Sequence, residues 1–196
     1  MANNFKLTVT DDIVRSELDR VLGVLRQPQP MMLEIAEHLV AETQQVFDDE
    51  GYPAKTWAAL RPSTQRNRAR RGYWPGKILT MTGTLYRSIQ ANAGNDFAEA
   101  GTNQPYARIQ HDGGTIQRSG QVRLRTDKKG NLKRQKGHPN LAIFARNAHK
   151  NAVARAVNYA INIPARPYFP ITPEGGLTPS AYDAVMGVLR GTLRLS

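Results

Sequence analysis

The sequence predicts a single α+β domain over residues 1–196, with helices packed on a mainly antiparallel sheet and a basic β-hairpin arm protruding from it. Three observations lead there. Apolar residues recur every three to four positions near both ends of the chain. The middle alternates apolar and polar residues around turn-forming trios, and the positive charge gathers in one segment.

The first helix is expected over residues 11–26. Thr10, Asp11 and Asp12 supply a capping hydroxyl and two acids at its start, where they suit the helix dipole. Ile13, Val14, Leu18, Val21, Leu22 and Leu25 form one apolar stripe, and Pro28 and Pro30 end the helix. The second helix is expected over 31–47, with Met32, Ile35, Ala36, Leu39, Val40 and Phe47 as its inner face. Asp48, Asp49 and Glu50 follow before Gly51, three acids at a C-terminus that the dipole disfavours.

From Gly51 to Gly76 the chain is punctuated by Pro53, Pro62, Gly72 and Pro75, with Trp57 and Leu60 as anchors and a short helix from Pro62 to about Arg70. Thr82 to Ile89 begins as a helical turn and runs into a strand near 87–93. With a second strand near 97–101 it brackets Gly94, Asn95 and Asp96 as an antiparallel hairpin. Pro105 to Gln110 reads as a short helix ended by His111, Asp112, Gly113 and Gly114.

Gln121 to Thr126 alternates as a strand does, Asp127 to Asn131 is turn chemistry, and Leu132 onward returns as a strand. The arm is thus expected at about 120–136, inside an inserted basic segment at about 116–150. Leu141 to Ala160 is Ala-rich enough for a helix, yet Val153, Val157, Tyr159, Ile161 and Ile163 alternate and favour a core strand at 155–163. Thr178 caps a final helix near 179–194, Pro179 fits its first position, and Ala181, Val185, Val188, Leu189 and Leu193 form its stripe.

Charge bounds the function. The 27 Lys and Arg residues against 16 Asp and Glu give +11. Residues 1–54 carry −6, residues 55–95 carry eight basic side chains and no acid, and residues 116–155 carry eleven basic side chains against Asp127 alone. Like charges at that density repel, so the segment is expected in solvent or against an acidic partner. The absence of cysteine removes disulfides, thiolate nucleophiles and Cys-ligated zinc. No apolar run approaches the ~20 residues of a membrane span, and Met1 to Asp12 lacks a signal-peptide layout, so a soluble protein made inside the cell is expected.

Catalytic chemistry is sparse, and no cofactor is implied. Gly72 to Lys77 has three residues between its glycines instead of four, and Ile78 stands where a phosphate loop needs Ser or Thr. His38 with Glu34 or Glu42 has helical i,i+4 spacing, which fits a surface ion pair better than a metal site. His111 and Asp112 are adjacent, and sequence neighbours usually point apart, so a loop-structuring role outweighs a catalytic one. The basic segment is a footprint that phosphates would satisfy, but Phe144 is its one aromatic. Its alternatives are non-specific nucleic-acid binding and, somewhat favoured, docking on an acidic protein.

The order of landmarks adds a resemblance. Trp57-Ala58-Ala59-Leu60 is followed by Ile78-Leu79-Thr80-Met81-Thr82-Gly83-Thr84-Leu85, then Gly101-Thr102, Tyr106-Ala107, Ile109-Gln110-His111-Asp112-Gly113-Gly114 and Ile163-Pro164-Ala165-Arg166-Pro167-Tyr168-Phe169. Over about residues 30–175 this resembles the bacteriophage virion morphogenesis (tail-completion) family, which includes the G protein of phage Mu and the S protein of phage P2. More distantly it is similar to head–tail connector proteins.

The resemblance implies a non-enzymatic neck protein of the virion, assembled in the host cytoplasm and forming a ring, commonly six-fold, with no membrane. Its implied partners are other copies of itself, other neck, connector or tail-tube proteins, and DNA in the channel. It also implies structural landmarks: Gly83 and Gly101 for tight backbone, Trp57, Tyr106 and Phe169 as core anchors, and Pro164 and Pro167 at the last strand's exit, with Leu85, His111 and Arg166 in the same set. Beside the resemblance, alternation sends Arg123 and Arg125 opposite Val122 and Leu124. With Lys128, Lys129, Lys133, Arg134 and Lys136 they are expected to form a nearly all-cationic, partner-binding face.

Overall fold

The computed structural model describes residues 11–52 and 55–193, so the readings that fall on the first ten residues (Thr10 among them) and on Pro53 lie outside the described residues. The chain divides into two compact units, Met1–Asp112 with Ala165–Ser196, and Gly113–Pro164. Helices and antiparallel strands together make the chain α+β in class, with every helix in the first unit and only strands in the second.

The first unit is built around a central helix. In chain order it holds α1 (Asp12–Arg26), α2 (Gln29–Asp48), β1 (Gly51–Tyr52), β2 (Lys55–Thr56), α3 (Pro62–Arg70), α4 (Thr84–Arg87), β3 (Gln90–Ala93), β4 (Ala98–Gly101) and α5 (Ala107–Asp112), and it closes with α6 (Pro179–Leu193). One face of α2 buries Met31 and Ile35 against Val188 of α6, with Leu39, Val185 and Leu189 partly buried around them. Its C-terminal turn sends Val46 and Phe47 into a second cluster with Trp57, Ile78, Leu85, Ile89, Ala107 and Tyr168. β3 and β4 pair antiparallel from Gln90↔Gly101 to Ala93↔Ala98 and pack on α2.

The three acids after α2 have a use that offsets their poor position against the dipole. Asp48 accepts from the Lys77 ammonium at 2.5 Å, Asp49 accepts from Gln45 at 2.9 Å, and the Glu50 carboxylate accepts from the Ile78 backbone N–H. Asp48 and Glu50 thereby tie the loop before α4 to the end of α2, and Asp49 bonds back to α2 itself.

Two expectations for this unit need correction. The α1 stripe is not core. No residue of α1 is fully buried, and Ile13, Val14, Leu18, Leu22 and Leu25 are all exposed. The Arg20 guanidinium donates to the carbonyls of Thr192 (2.9 Å) and Leu193 (3.0 Å) at the end of α6, and Val24 packs against the cluster of Met31, Ile35 and Val188. That contact uses a different side of the helix from the stripe. The expected strand at 87–93 starts only at Gln90, because Thr84–Arg87 closes a helical turn behind Gly83.

The second unit is a long two-stranded ribbon with a small hairpin. It holds β5 (Gly114–Arg125), β6 (Arg134–Gln135), β7 (His138–Ala142) and β8 (Ala152–Ile163). β5 and β8 pair antiparallel without interruption from Gly114↔Ile163 to Arg125↔Ala152. The strand expected at 155–163 is therefore not a core strand of the helical unit's sheet; most of its side chains are exposed. Nor does 120–125 fold back on 132–136 beyond its turn, where Thr126 bridges Leu132 and the Lys133 N–H donates to the Arg125 carbonyl at 2.9 Å.

Like charges directly across a ladder destabilise it. In the observed register Arg123 faces Ala154, Arg125 faces Ala152, Arg118 faces Tyr159 and Arg155 faces Val122. Every arginine of the ladder has a neutral cross-strand partner. The turn itself is held by Asp127, whose carboxylate accepts from the N–H groups of Lys129 (2.8 Å) and Asn131 (2.9 Å). The Asn131 bonds hold that carboxyl below the usual range.

Candidate assembly surfaces

The landmark residues of the first unit converge on Phe47, expected on the inner face of the second helix, and on Tyr168 of the last landmark motif. Phe47 and Tyr168 are fully buried. Phe47 meets Trp57 edge-on at 5.6 Å, Tyr86 at 5.7 Å and Tyr168 at 5.0 Å. Trp57 is buried, and its indole N–H donates to the Pro167 carbonyl at 2.8 Å. Leu85 is buried in the same cluster. Phe169 is partly buried and lies at a tilt to both Tyr168 (4.9 Å) and His111 (5.7 Å). Tyr106, expected as a core anchor, is 40% exposed. The buried tyrosine here is Tyr168, whose hydroxyl donates to the Ala107 carbonyl at 2.9 Å.

Gly83 takes φ 68° at the start of α4, a left-handed conformation that favours glycine. Gly101 does not share that constraint, for its φ is ordinary and a Cβ there would meet nothing within 4 Å. Pro164 ends the second unit. Arg166 is buried at 6% exposure, donates to the Ala58 carbonyl at 3.0 Å and has its Nε without a partner among the described residues. Burial holds its pKa below the ordinary arginine value.

His111 and Asp112 do touch, against the expectation for neighbours, with Nδ1 2.7 Å from the carboxylate. That bond is the main reason the Asp112 carboxyl sits below its usual range. The other ring nitrogen, Nε2, is buried with no hydrogen-bond partner among the described residues. No Ser or Thr hydroxyl completes a triad there, and the ring instead packs edge-on against Tyr168 at 5.0 Å. Glu42, one of the two acids at i,i+4 spacing from His38, accepts from the Ser180 hydroxyl. Among the described residues no group of three His, Asp or Glu side chains is placed to hold a metal ion, and no helix is long and apolar enough to cross a membrane.

Two tyrosine hydroxyls are buried well enough to titrate late. Burial pushes Tyr168 from 10.0 up to about 12, helped by the Asp112 charge. Burial, with Glu42 nearby, does the same for Tyr52, whose hydroxyl donates to the Phe169 carbonyl at 2.5 Å. A folded pKa raised above the unfolded value gives stability that is complete below pH 10 and is lost as pH rises toward 12. In that window the stability-against-pH slope, read by urea unfolding, is expected to fall by about one proton's worth in Tyr168→Phe. An unchanged slope would show that Tyr168 ionises freely in the folded protein.

The expected basic face is more dispersed than alternation alone suggests. Arg123 and Arg125 share a ribbon face with Thr115, Gln117, Ser119 and Gln121 of β5 and with Asn158, Asn162 and four alanines of β8, so that face carries small and polar side chains and is cationic only at one end. Lys128 and Lys129 lie in the turn after β5, Lys133 just before β6, Arg134 in β6 and Lys136 in the turn after it, all exposed. The opposite face of the ribbon carries Ile116, Val122, Leu124, Val153, Val157, Tyr159, Ile161 and Ile163, broken only by Arg118 and Arg155. The alternation that reveals this face is in the sequence, but its pairing partner is not.

The sequence model of the phage virion morphogenesis family matches residues 9–194, nearly the whole chain. The chain belongs to this family. The G protein of Escherichia phage Mu, a protein named for capsid assembly, is 35% identical over 96 residues, which are 48% of this chain and 62% of that protein. The match thus covers a little under two thirds of that relative's length. No solved structure matches the chain. Membership places the chain among proteins of phage virion morphogenesis. For such a role the relevant features are the surfaces left uncovered, namely the α1 stripe and the two faces of the β5–β8 ribbon.

Proposed function

We propose that this chain is a non-enzymatic structural component of a tailed-phage virion at the head–tail junction, where it completes the tail or joins it to the head as an oligomeric ring. The observation that carries the reading is the family match across residues 9–194. The ring is six-fold, its neighbours are other neck, connector or tail-tube proteins, and the subunit is made in the host cytoplasm before it enters the particle. Electron microscopy of particles assembled without the protein tests this. Unjoined heads and tails are expected, and normal infectious particles would overturn it.

A second reading rests on the +10 carried by residues 113–164: non-specific contact with nucleic acid through backbone phosphates. The protein partner is favoured, because a strong phosphate grip in a channel would oppose DNA ejection. Replacing Arg123, Arg125, Lys133 and Arg134 together by Ser is expected to leave the subunit folded, since none of the four is fully buried. Docking to the neighbouring ring is expected to weaken at least about 10-fold and to mimic high salt, which screens exposed pairs beyond ~8–10 Å. Loss of DNA binding in a gel-shift assay with docking intact would instead favour the nucleic-acid reading.

A further inference from the structure

The β5–β8 ribbon leaves backbone hydrogen-bonding groups open along both of its edges. Their direction follows from the contacts at one end. The Arg125 N–H donates to the Ile143 carbonyl at 2.8 Å, and the Ala145 N–H donates to the Arg123 carbonyl at 2.7 Å, so the backbone of these two residues points away from β8. Alternation along an antiparallel ladder then turns outward the odd-numbered residues 115–121 of β5 and the even-numbered residues 152–162 of β8. Among the described residues none of these outward N–H and carbonyl groups has a backbone partner.

The two edges differ. On β5 the segment 143–145 closes the end at Arg123–Arg125, and the edge is open over 115–121. On β8 the edge is open along all 12 residues, in unbroken register, and its outward positions hold only alanine and asparagine. Proline, charge and bulges, which blunt a sheet edge, are absent from those positions.

An open edge specifies its occupant, because only extended chain presents N–H and carbonyl groups at the strand repeat. Two features select a second copy of this ribbon. The chain carries two open edges, and β8 of one copy against β5 of the next satisfies both of them in every subunit of a closed ring. Pairing β8 with β8 joins two copies and leaves each β5 edge open. The faces also stay in phase, because the outward residues of both strands lie on the same ribbon face. Thr115, Gln117, Ser119 and Gln121 then meet alanine and asparagine, with no charge among them. A two-stranded ribbon is marginal by itself, so added strands stabilise it.

We infer that the open edge of β8 in one copy adds, antiparallel, to residues 115–121 of β5 in a second copy, joining the ribbons edge to edge into one continuous sheet. The inference rests on the self-assembly in the proposed function and names the backbone edges that carry it. Residues 113–164 carry +10, so the joint forms against like-charge repulsion and is expected to strengthen as salt rises.

Proline tests it, because at an outward position it removes an edge donor and spares the ladder within the chain. In the full-length protein Ala156→Pro blocks the β8 edge and Ser119→Pro the β5 edge, each checked by circular dichroism for an unchanged fold. Wild type is expected to self-associate in sedimentation velocity at high salt, and each variant alone at least about 100-fold more weakly. Their mixture is expected to form a one-to-one dimer and nothing larger, because one open β8 meets one open β5. A mixture that stays monomeric, or a Ser119→Pro variant that assembles like wild type, would overturn the contact and leave self-association standing. A wild-type chain that stays monomeric at every concentration and salt would overturn both. If either proline variant misfolds, cross-linking carries the comparison, since the chain has no cysteine. Ser119→Cys protein mixed under an added oxidant with Ala156→Cys, Asn158→Cys or Ala160→Cys protein is expected to give a disulfide-linked heterodimer with at least one of them. No heterodimer with any of the three would overturn the contact.

Discussion

Phe47→Ala is expected to lower the stability of the helical unit by about 3–5 kcal/mol, among the largest losses from one side chain. Phe47 is fully buried, at the end of α2, and three aromatic rings lie within 5.7 Å of its own. Truncation removes its transfer free energy and leaves a cavity whose walls are held apart by their own hydrogen bonds. Trp57 is tied to the Pro167 carbonyl and Tyr168 to the Ala107 carbonyl, so neither ring can follow the missing one freely. The melting temperature is expected to fall by roughly 6–20 °C, read by near-ultraviolet circular dichroism, where buried Trp57 reports directly on the cluster. Phe47→Leu keeps most of the volume and is expected to cost no more than about 1.5 kcal/mol. A loss below about 1 kcal/mol in Phe47→Ala would mean that the cluster collapses around the gap and is not the rigid centre described.

Gly51→Ala is expected to be comparably damaging for a different reason. Gly51 takes φ 140°, which side chains rarely adopt, and a Cβ there would lie 2.7 Å from the Lys55 carbonyl oxygen and the Thr56 Cα and 2.9 Å from the Trp57 nitrogen. All three are backbone atoms, so no rotamer change relieves the clash. The β1–β2 pairing has to open, and Trp57 moves with it, because its N–H donates to the Glu50 carbonyl at 2.8 Å. The expected loss is at least about 3 kcal/mol, measured by urea unfolding. Gly101→Ala is the control: it meets nothing, and its effect is expected within about 0.5 kcal/mol. Equal effects at the two glycines would refute the steric account.

Much of the local structure was legible from residue order. α2, α3 and α6 fall within about two residues of their expected limits, because proline starts, a threonine cap and 3–4 residue apolar spacing are local signals. The hairpin β3–β4 follows from a turn-rich trio between alternating runs. The family was legible as well, since its landmarks are short motifs in a set order.

What the sequence by itself determined is which side chains share a face. Leu18 and Leu22 align on α1, Arg123 and Arg125 stand opposite Val122 and Leu124, and both follow from helix and strand periods alone. Only the tertiary structure decided what covers each face. The α1 stripe looks like a core stripe in sequence and is exposed, because α6 meets α1 at Arg20 and Val24. Residues 120–125 have a nearby strand in sequence, but their ladder partner is 152–157. Periodicity acts over a few residues, whereas burial and pairing depend on segments far away in the chain, which no local pattern specifies.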